Sequence, residues 1–388
     1  MTAEIRKREE ALARLLTAFR LEGRPSAELL AAAADWSGTV WEEAKKAGPY
    51  PLDNADITQG LYLSRRPVFI CGVHRSGTTL VRNLLDGHPQ LCVLPSEGSF
   101  LTGLRAKLDR LLPAERPGFL GREWLRRLVN PTGQAPFWLL GRTTEEDSPY
   151  VTFARMLLAW WPLVESRLGP HTTLAPHIAV VLAYTSCFDG LGIGSAVKRW
   201  VEKTPTNEFY LNPLWAELPD AKMIHVIRHP YAVYASRKRL EERSFGTFSF
   251  VRRTLEDLAR SLQIAAENVC RQDCRNYLLL RYEELTVKPQ EVIECLADFL
   301  EIEPTPSLLC PTVANRPARP NSSFSEKEKA EGILPDAMDY HQSLTPAERE
   351  LIAAYTGDFA GALGYTVESL KPGHKTLVKM KLRLRKGI

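Results

Sequence analysis

The chain has 388 residues, 44% hydrophobic and 25% charged, a globular profile that argues against a disordered or fibrous protein. That length can bury an ample core, so neither a metal nor a disulfide staple is required, and the seven scattered cysteines read as buried reduced thiols. A net charge of +4 is too small to argue for nucleic acid, and it suits an enzyme whose substrate carries several negative charges.

The first 66 residues read as helical, with one charged amphipathic helix over 3–19 and a second over 26–46 that Ser26 can cap. The opening lacks the uninterrupted apolar core of a signal peptide, and "MLLAWWPLV" (156–164) falls short of the ~20 apolar residues of a membrane span, so a cytoplasmic protein is expected. "GPYPLDN" breaks the helical pattern and leads into a first strand over 68–73, apolar throughout as a parallel strand buried on both faces would be. A loop follows with Gly72, four residues, Gly77, Thr78 and Thr79, and then a helix to about Asp86.

Residues 97–198 read as mostly helix and loop, rich in Trp and Leu, with an acidic loop "TTEEDSPY"; this is the expected acceptor-binding insert. Its Trp124, Trp138, Trp160 and Trp161 suit either a stacked ligand ring or core packing. A second αβ unit comes next: a short strand and turn in "KRWVEKTP", a helix ending at Pro219, a strand over 223–228 closed by His229 and Pro230, and a helix after it. A long helix over 250–271, a strand and turn in "NYLLLRYEEL" and an amphipathic segment over 289–300 complete the pattern. Strands alternating with helices predict an α/β fold of the P-loop NTPase-like three-layer kind, a central parallel sheet flanked by helices, plus the helical insert. The expected units are an N-terminal helical segment 1–66, an α/β domain 67–370 containing the insert 97–198, and a basic tail 371–388. Residues 313–330 read as a long Pro-, Asn- and Ser-rich loop, and the tail reads as a solvated terminal strand or frayed end, with contact to a membrane surface or an anionic lipid substrate as the alternative.

A turn of backbone N–H groups opening into a helix N-terminus binds anions. Gly72 and Gly77 let a phosphate approach, Thr78 and Thr79 add hydroxyls, and Arg75 adds a cationic fork beside Ser76. An ATP-using loop would carry Lys directly after Gly77, and its second diagnostic strand would end in a metal-binding Asp. Here Thr78 follows Gly77 and the strand ends in Arg228-His229, so no metal ligand is expected there. Arg228, with Ser236 eight residues on, can grip a second phosphate remote from the first.

At this point "CGVHRSGTTL" resembles the 5′-phosphosulfate loop of the sulfotransferases, and "VIRHPYAVYAS" resembles their 3′-phosphate strand and helix. "VEKTP", "RYEEL" and the late basic, serine-containing loop match in order, so the resemblance covers about 67–329. It implies 3′-phosphoadenosine 5′-phosphosulfate (PAPS) as donor, 3′,5′-ADP as product and no metal. Arg75, Ser76, Gly77, Thr78 and Thr79 would hold the phosphosulfate, with Arg75 where many cytosolic members have Lys, as in the loop of the protein-tyrosine sulfotransferases. Arg228 and Ser236 would hold the 3′-phosphate, Tyr282 would lie near the adenine, and Asn321, Ser322 and Ser323, with Lys327 or Lys329, would close over the donor.

The same resemblance makes Lys203 and Arg75 the cations that stabilise transferring charge and Glu97 the general base. His88 reads as structural, and His171 and His177 are the alternative bases. The expected acceptor is a hydroxyl, or else an amine, of a carbohydrate, lipid or small molecule. Protein tyrosine is disfavoured by the missing secretory signal, and no nucleic-acid partner is expected. A P-loop small-molecule kinase and a non-catalytic nucleotide-binding protein are the rival readings. Oligomeric state is not legible.

Overall fold

"PVFIC" is buried from end to end as strand β1 (Pro67–Cys71). Strand geometry sends Val68 and Ile70 to one face and Phe69 and Cys71 to the other, and each face has its own core. The structure is a computed structural model that describes residues 3–22, 26–129, 149–168, 173–187, 196–269, 275–318, 333 and 340–384. The other main-sheet strands are β2 (Leu91–Glu97), β3 (Arg199–Lys203), β4 (Lys222–Ile227) and β5 (Tyr277–Arg281). They form one parallel five-stranded sheet in the order β2-β3-β1-β4-β5.

The face bearing Val68 and Ile70 packs on helices Thr78–Leu85 and Pro289–Leu300, which contribute Leu80, Val81, Leu84, Ile293, Leu296 and Leu300. The face bearing Phe69 and Cys71 joins a larger core with the N-terminal helices Ala3–Glu22 and Ala27–Ala47 and the insert helices Arg116–Val129, Pro149–Leu168 and Ala175–Cys187. Trp124 and Trp160 are fully buried there, as is Trp36 of the second N-terminal helix, and Trp161 is nearly so; the described insert tryptophans are therefore core, and Trp138 lies outside the described residues. "MLLAWWPLV" is therefore the buried heart of one helix, and no described helix is long and apolar enough to cross a membrane. Pro162 sits inside that helix, where it removes a backbone bond at a cost of about 3 kcal/mol. Burying Trp160, Trp161 and Val164 around it offsets this, since a large apolar side chain contributes roughly 1.5–3 kcal/mol.

Several expectations hold closely. Ser26 caps the second helix by accepting from the Leu29 N–H at 3.0 Å, and the segment after Lys288 is helical over Pro289–Leu300. Others need correction. After "GPYPLDN" comes a separate helix, Asn54–Ser64, with a reciprocal cap between Asp53 and Asp56. The segment before the insert contains β2, which the sequence reading did not identify as a strand. The tail is helix Pro372–Leu384, not a strand or frayed end; Lys375 pairs with Asp358 and Lys379 lies over the Tyr355 ring. Cys71 and Cys92 are buried as expected, whereas Cys295 and Cys310 are exposed, and Cys270 and Cys274 lie outside the described residues.

Gly60 lets helix Asn54–Ser64 approach the insert closely, because a Cβ there would meet the Trp160 ring at 2.2 Å. Helix propensity alone favours alanine by about 1 kcal/mol. The contact predicts the opposite sign: Gly60→Ala should destabilise by about 1–3 kcal/mol in denaturant unfolding.

Candidate active site

In a parallel sheet every strand delivers its carboxyl end to the same edge, and there the candidate residues gather. In spatial order, β2 ends in Glu97, β3 ends in Lys203, β1 runs into the Gly72–Gly77 turn, β4 is followed by Arg228 and β5 by Tyr282. Glu97 and Lys203 are direct register partners across the edge pair, and Lys203 is also the partner of Ile70 in β1.

The loop's glycines are sterically required. Gly72 has φ 131°, and a Cβ on it would lie 2.2 Å from the Val226 carbonyl oxygen. Gly77 has φ 105°, and its Cβ would strike the Tyr282 ring, also at 2.2 Å. Arg75 is held at φ 77°, in the left-handed region that costs a non-glycine residue roughly 1–3 kcal/mol. Ser99 (φ 50°), just past Glu97, and Thr206 (φ 70°), just past Lys203, share this strain, so backbone cost concentrates around the site.

Residues assigned from the sequence to two separate grips are in contact. Arg75 Nε donates to Ser236 Oγ at 2.9 Å, and Arg228 Nη1 donates to the Arg75 carbonyl at 3.3 Å. Arg75 thus spans from the loop to the Ser236 grip rather than belonging to the loop alone. Arg228 also lies over the Tyr282 ring, 4.5 Å from its centroid. Burial, followed by the charge of Arg228, pulls Arg75 down to about 10, a tension that a bound anion would relieve. Ser76 Oγ is fully buried with no hydrogen-bond partner, an orphan donor inside the turn. Thr78 is buried at the start of the helix and Thr79 is exposed beside it. Asn321, Ser322, Ser323, Lys327 and Lys329 lie outside the described residues, as does His171.

Lys203 is 3% exposed and donates to Glu97 Oε1 at 2.5 Å. Burial works against a charged Glu97, but Lys203, His74 and Arg82 together outweigh it, and the carboxyl falls below its ordinary value. Burial pulls Lys203 below the usual lysine value, against the opposing pull of Glu97. Glu97 is therefore an ionised, partly exposed carboxylate on a buried cation. Buried Arg82 donates to the Pro95 carbonyl at 2.9 Å, and Arg127 from the insert donates to the carbonyls of Glu97 and Gly98, so β2's end is clamped from both sides.

His88 is structural, with Nε2 2.8 Å from the Glu303 carbonyl. His177 is buried, bonded through Nε2 to Glu202 at 2.9 Å and stacked on Phe100, so it ties the insert to β3 instead of facing solvent as a base. Glu202 in turn accepts from Thr204 Oγ1, which accepts from the Ser99 N–H at 2.8 Å.

Sequence reasoning missed Glu208. It is fully buried and accepts from the Gly72 N–H at 2.8 Å and from Ser261 Oγ at 2.8 Å, while His225 contacts Ser261 at 2.9 Å and Tyr277 at 2.7 Å. This network lies beneath the loop and fixes its first turn. Only the buried placement of "TNEFY" reveals the role; as text it is an unremarkable acidic residue near a helix start.

A family profile described as the sulfotransferase family matches residues 67–306. Over 114 residues the chain is 32% identical to omega-hydroxy-beta-dihydromenaquinone-9 sulfotransferase Stf3, with the same figures for the Mycobacterium bovis and Mycobacterium tuberculosis proteins. That match covers 26% of this chain and 29% of each relative. The sulfotransferase domain of the Synechococcus PCC 7002 olefin synthase overlays with a TM-score of 0.40 at 19% identity, covering 82% of this chain and 94% of that one, too loose a fit to transfer detail.

Burial raises the Glu208 carboxyl from 4.5 to about 7. The folded state therefore keeps a proton that the unfolded chain releases, and stability falls as pH rises through that window, by roughly 3 kcal/mol in all. Glu208→Gln keeps an acceptor for Gly72 and removes the titration. Unfolding free energies at pH 5 and pH 8 should therefore converge in this variant relative to the wild type.

Proposed function

The chain belongs to the sulfotransferase family, and we propose that it moves the sulfuryl group of PAPS to a hydroxyl of a small, lipid-like acceptor, releasing 3′,5′-ADP. The observation that carries this reading is the joined pair of anion grips: Arg75 on Ser236, Arg228 on the Arg75 carbonyl, and the orphan Ser76 hydroxyl in the turn. Two arginines and an orphan hydroxyl at one edge of the sheet suit a nucleotide phosphorylated at both its 3′ and 5′ positions. The name of the Stf3 relatives supports a lipid-like hydroxyl acceptor. A carbohydrate, another small molecule or an amine is the alternative that an acceptor screen decides.

PAPS would supply an activated sulfuryl group on a phosphate leaving group. The loop from Gly72 to Thr79, with Arg75 and Ser76, would hold its phosphosulfate. Arg228 and Ser236 would hold the 3′-phosphate, and Tyr282 would flank the base. Glu97, kept ionised by Lys203, takes the acceptor hydroxyl's proton. The Lys203 ammonium, already desolvated, stabilises charge on the departing oxygen more strongly than an exposed lysine would.

Calorimetric titration in EDTA should show tight binding of 3′,5′-ADP and weak binding of 5′-ADP; preference for ATP with magnesium would sink this reading in favour of a kinase. Arg228→Ala should weaken 3′,5′-ADP binding by at least about tenfold, as expected for loss of a charge-assisted phosphate contact. Glu97→Gln should reduce turnover by about 10²–10⁴ while leaving 3′,5′-ADP affinity unchanged. Equal loss of both would remove Glu97 as the base.

A further inference from the structure

The amino end of the same sheet carries a second concentration of positive charge. Arg66 directly precedes β1, Arg199 opens β3 and Lys222 opens β4, and these three strands are neighbours, so parallel pairing sets the cations side by side. All three converge on one carboxylate: Glu301 lies 2.7 Å from Arg199, 3.2 Å from Arg66 and 3.2 Å from Lys222. Lys198 adds a fourth cation, donating to the Glu301 carbonyl at 3.1 Å. Arg199 is 3% exposed and Lys222 6%.

One carboxylate does not balance this group. Two guanidinium donors, Arg66 Nε and Arg199 Nη1, are buried with no hydrogen-bond partner. Leaving a charged donor unpaired in the interior is costly, more so than leaving a neutral one. Burial pulls Lys222 below the ordinary lysine value, and Arg199 and Arg66 push the same way, while Glu301 opposes them. Beside the cluster lies a shallow cavity of about 410 Å³ lined by Leu61, Tyr62, Arg65, Arg66 and Asp220. Counting Arg65, Arg66, Lys198, Arg199 and Lys222 against Glu301 and Asp220 leaves an excess of three positive charges. Arg66 lies over the Tyr62 ring, 4.9 Å from its centroid, so the cavity pairs a cationic fork with a partly exposed aromatic face.

We propose that this end of the sheet is a second anion site, for a phosphate-class oxyanion carried by a small molecule, with Arg66 as its principal contact and Arg199 and Lys222 supplying charge behind it. Strands of five residues separate it from the phosphate loop by about 16 Å, so it is a distinct site and not an extension of the first. The excess charge and the planar donors of two arginines favour an oxyanion of charge −2 or more over a single carboxylate.

The test uses the full chain and inorganic pyrophosphate, read by thermal shift and calorimetry in wild type, Arg228→Ala, Arg66→Gln and the double variant. Arg66 is partly exposed, so its substitution should leave the protein folded, and an unchanged 3′,5′-ADP titration checks that separately. Pyrophosphate should stabilise Arg228→Ala in a saturable way, and Arg66→Gln should weaken that response at least tenfold. If the donor reading fails, wild type and Arg228→Ala respond alike and Arg66→Gln still abolishes the response, so the two failures are separable. Co-sedimentation with phosphatidylcholine vesicles, with and without a lipid phosphate monoester, forms the second arm. Arg66-dependent sedimentation assigns a lipid headgroup, and pyrophosphate binding without it assigns a soluble ligand. No pyrophosphate response in Arg228→Ala, or one that Arg66→Gln leaves intact, with no vesicle binding, overturns the proposal.

Discussion

The parallel pairing of β1 between β3 and β4 is the constraint on which everything else rests. Register alone brings Lys203 level with Ile70, sets His225 opposite Cys71 and leaves Arg228 one step beyond the sheet, beside the loop that β1 becomes. No side-chain interaction has to draw these groups together, since backbone hydrogen bonds within a buried sheet have already done so. The same pairing places Arg66, Arg199 and Lys222 at the opposite end. One set of ladders therefore builds two charged edges from a single run of apolar strands.

Charge in this protein is buried under tension and held there by neighbours. Lys203 lies inside with Glu97 as its counter-charge, and Arg75 faces Arg228. Each arrangement costs desolvation, which pairing with one partner only partly offsets. The left-handed residues Arg75, Ser99 and Thr206 add backbone cost along the same edge of the sheet. Such expense is sustained because the apolar strands and helices around it are deeply buried and over-determine the geometry.

What was legible in the sequence follows the locality of the signal. The glycine turn, the apolar strand before it and the Arg228–Ser236 spacing are short-range patterns, and they lie where they were expected. β2 was missed because only "LCVL" is apolar before Pro95, and a strand interrupted by proline reads as loop; its place at the sheet edge is what makes the proline tolerable. The terminal helix was misread because its Leu, Val and Met spacing approaches alternation, whereas contacts to Asp358 and Tyr355 select a helix. The Arg75–Ser236 contact joins residues 161 apart in sequence, so their union as one grip appears only once β1 and β4 lie side by side.

β2 lies at an edge of the sheet and is held there by one neighbouring strand. The Gly72–Gly77 turn and Arg228 follow the central strands β1 and β4, and Lys203 ends β3; each of these three strands is paired on both sides. Glu97 hangs from a peripheral strand whose pairing with β3 shifts register between Val93 and Glu97, and the insert clamps it through Arg127. Substitutions and length changes in the insert can therefore act on the Glu97 end of β2 through Arg127 while the pairing of β1 with β4 stays intact.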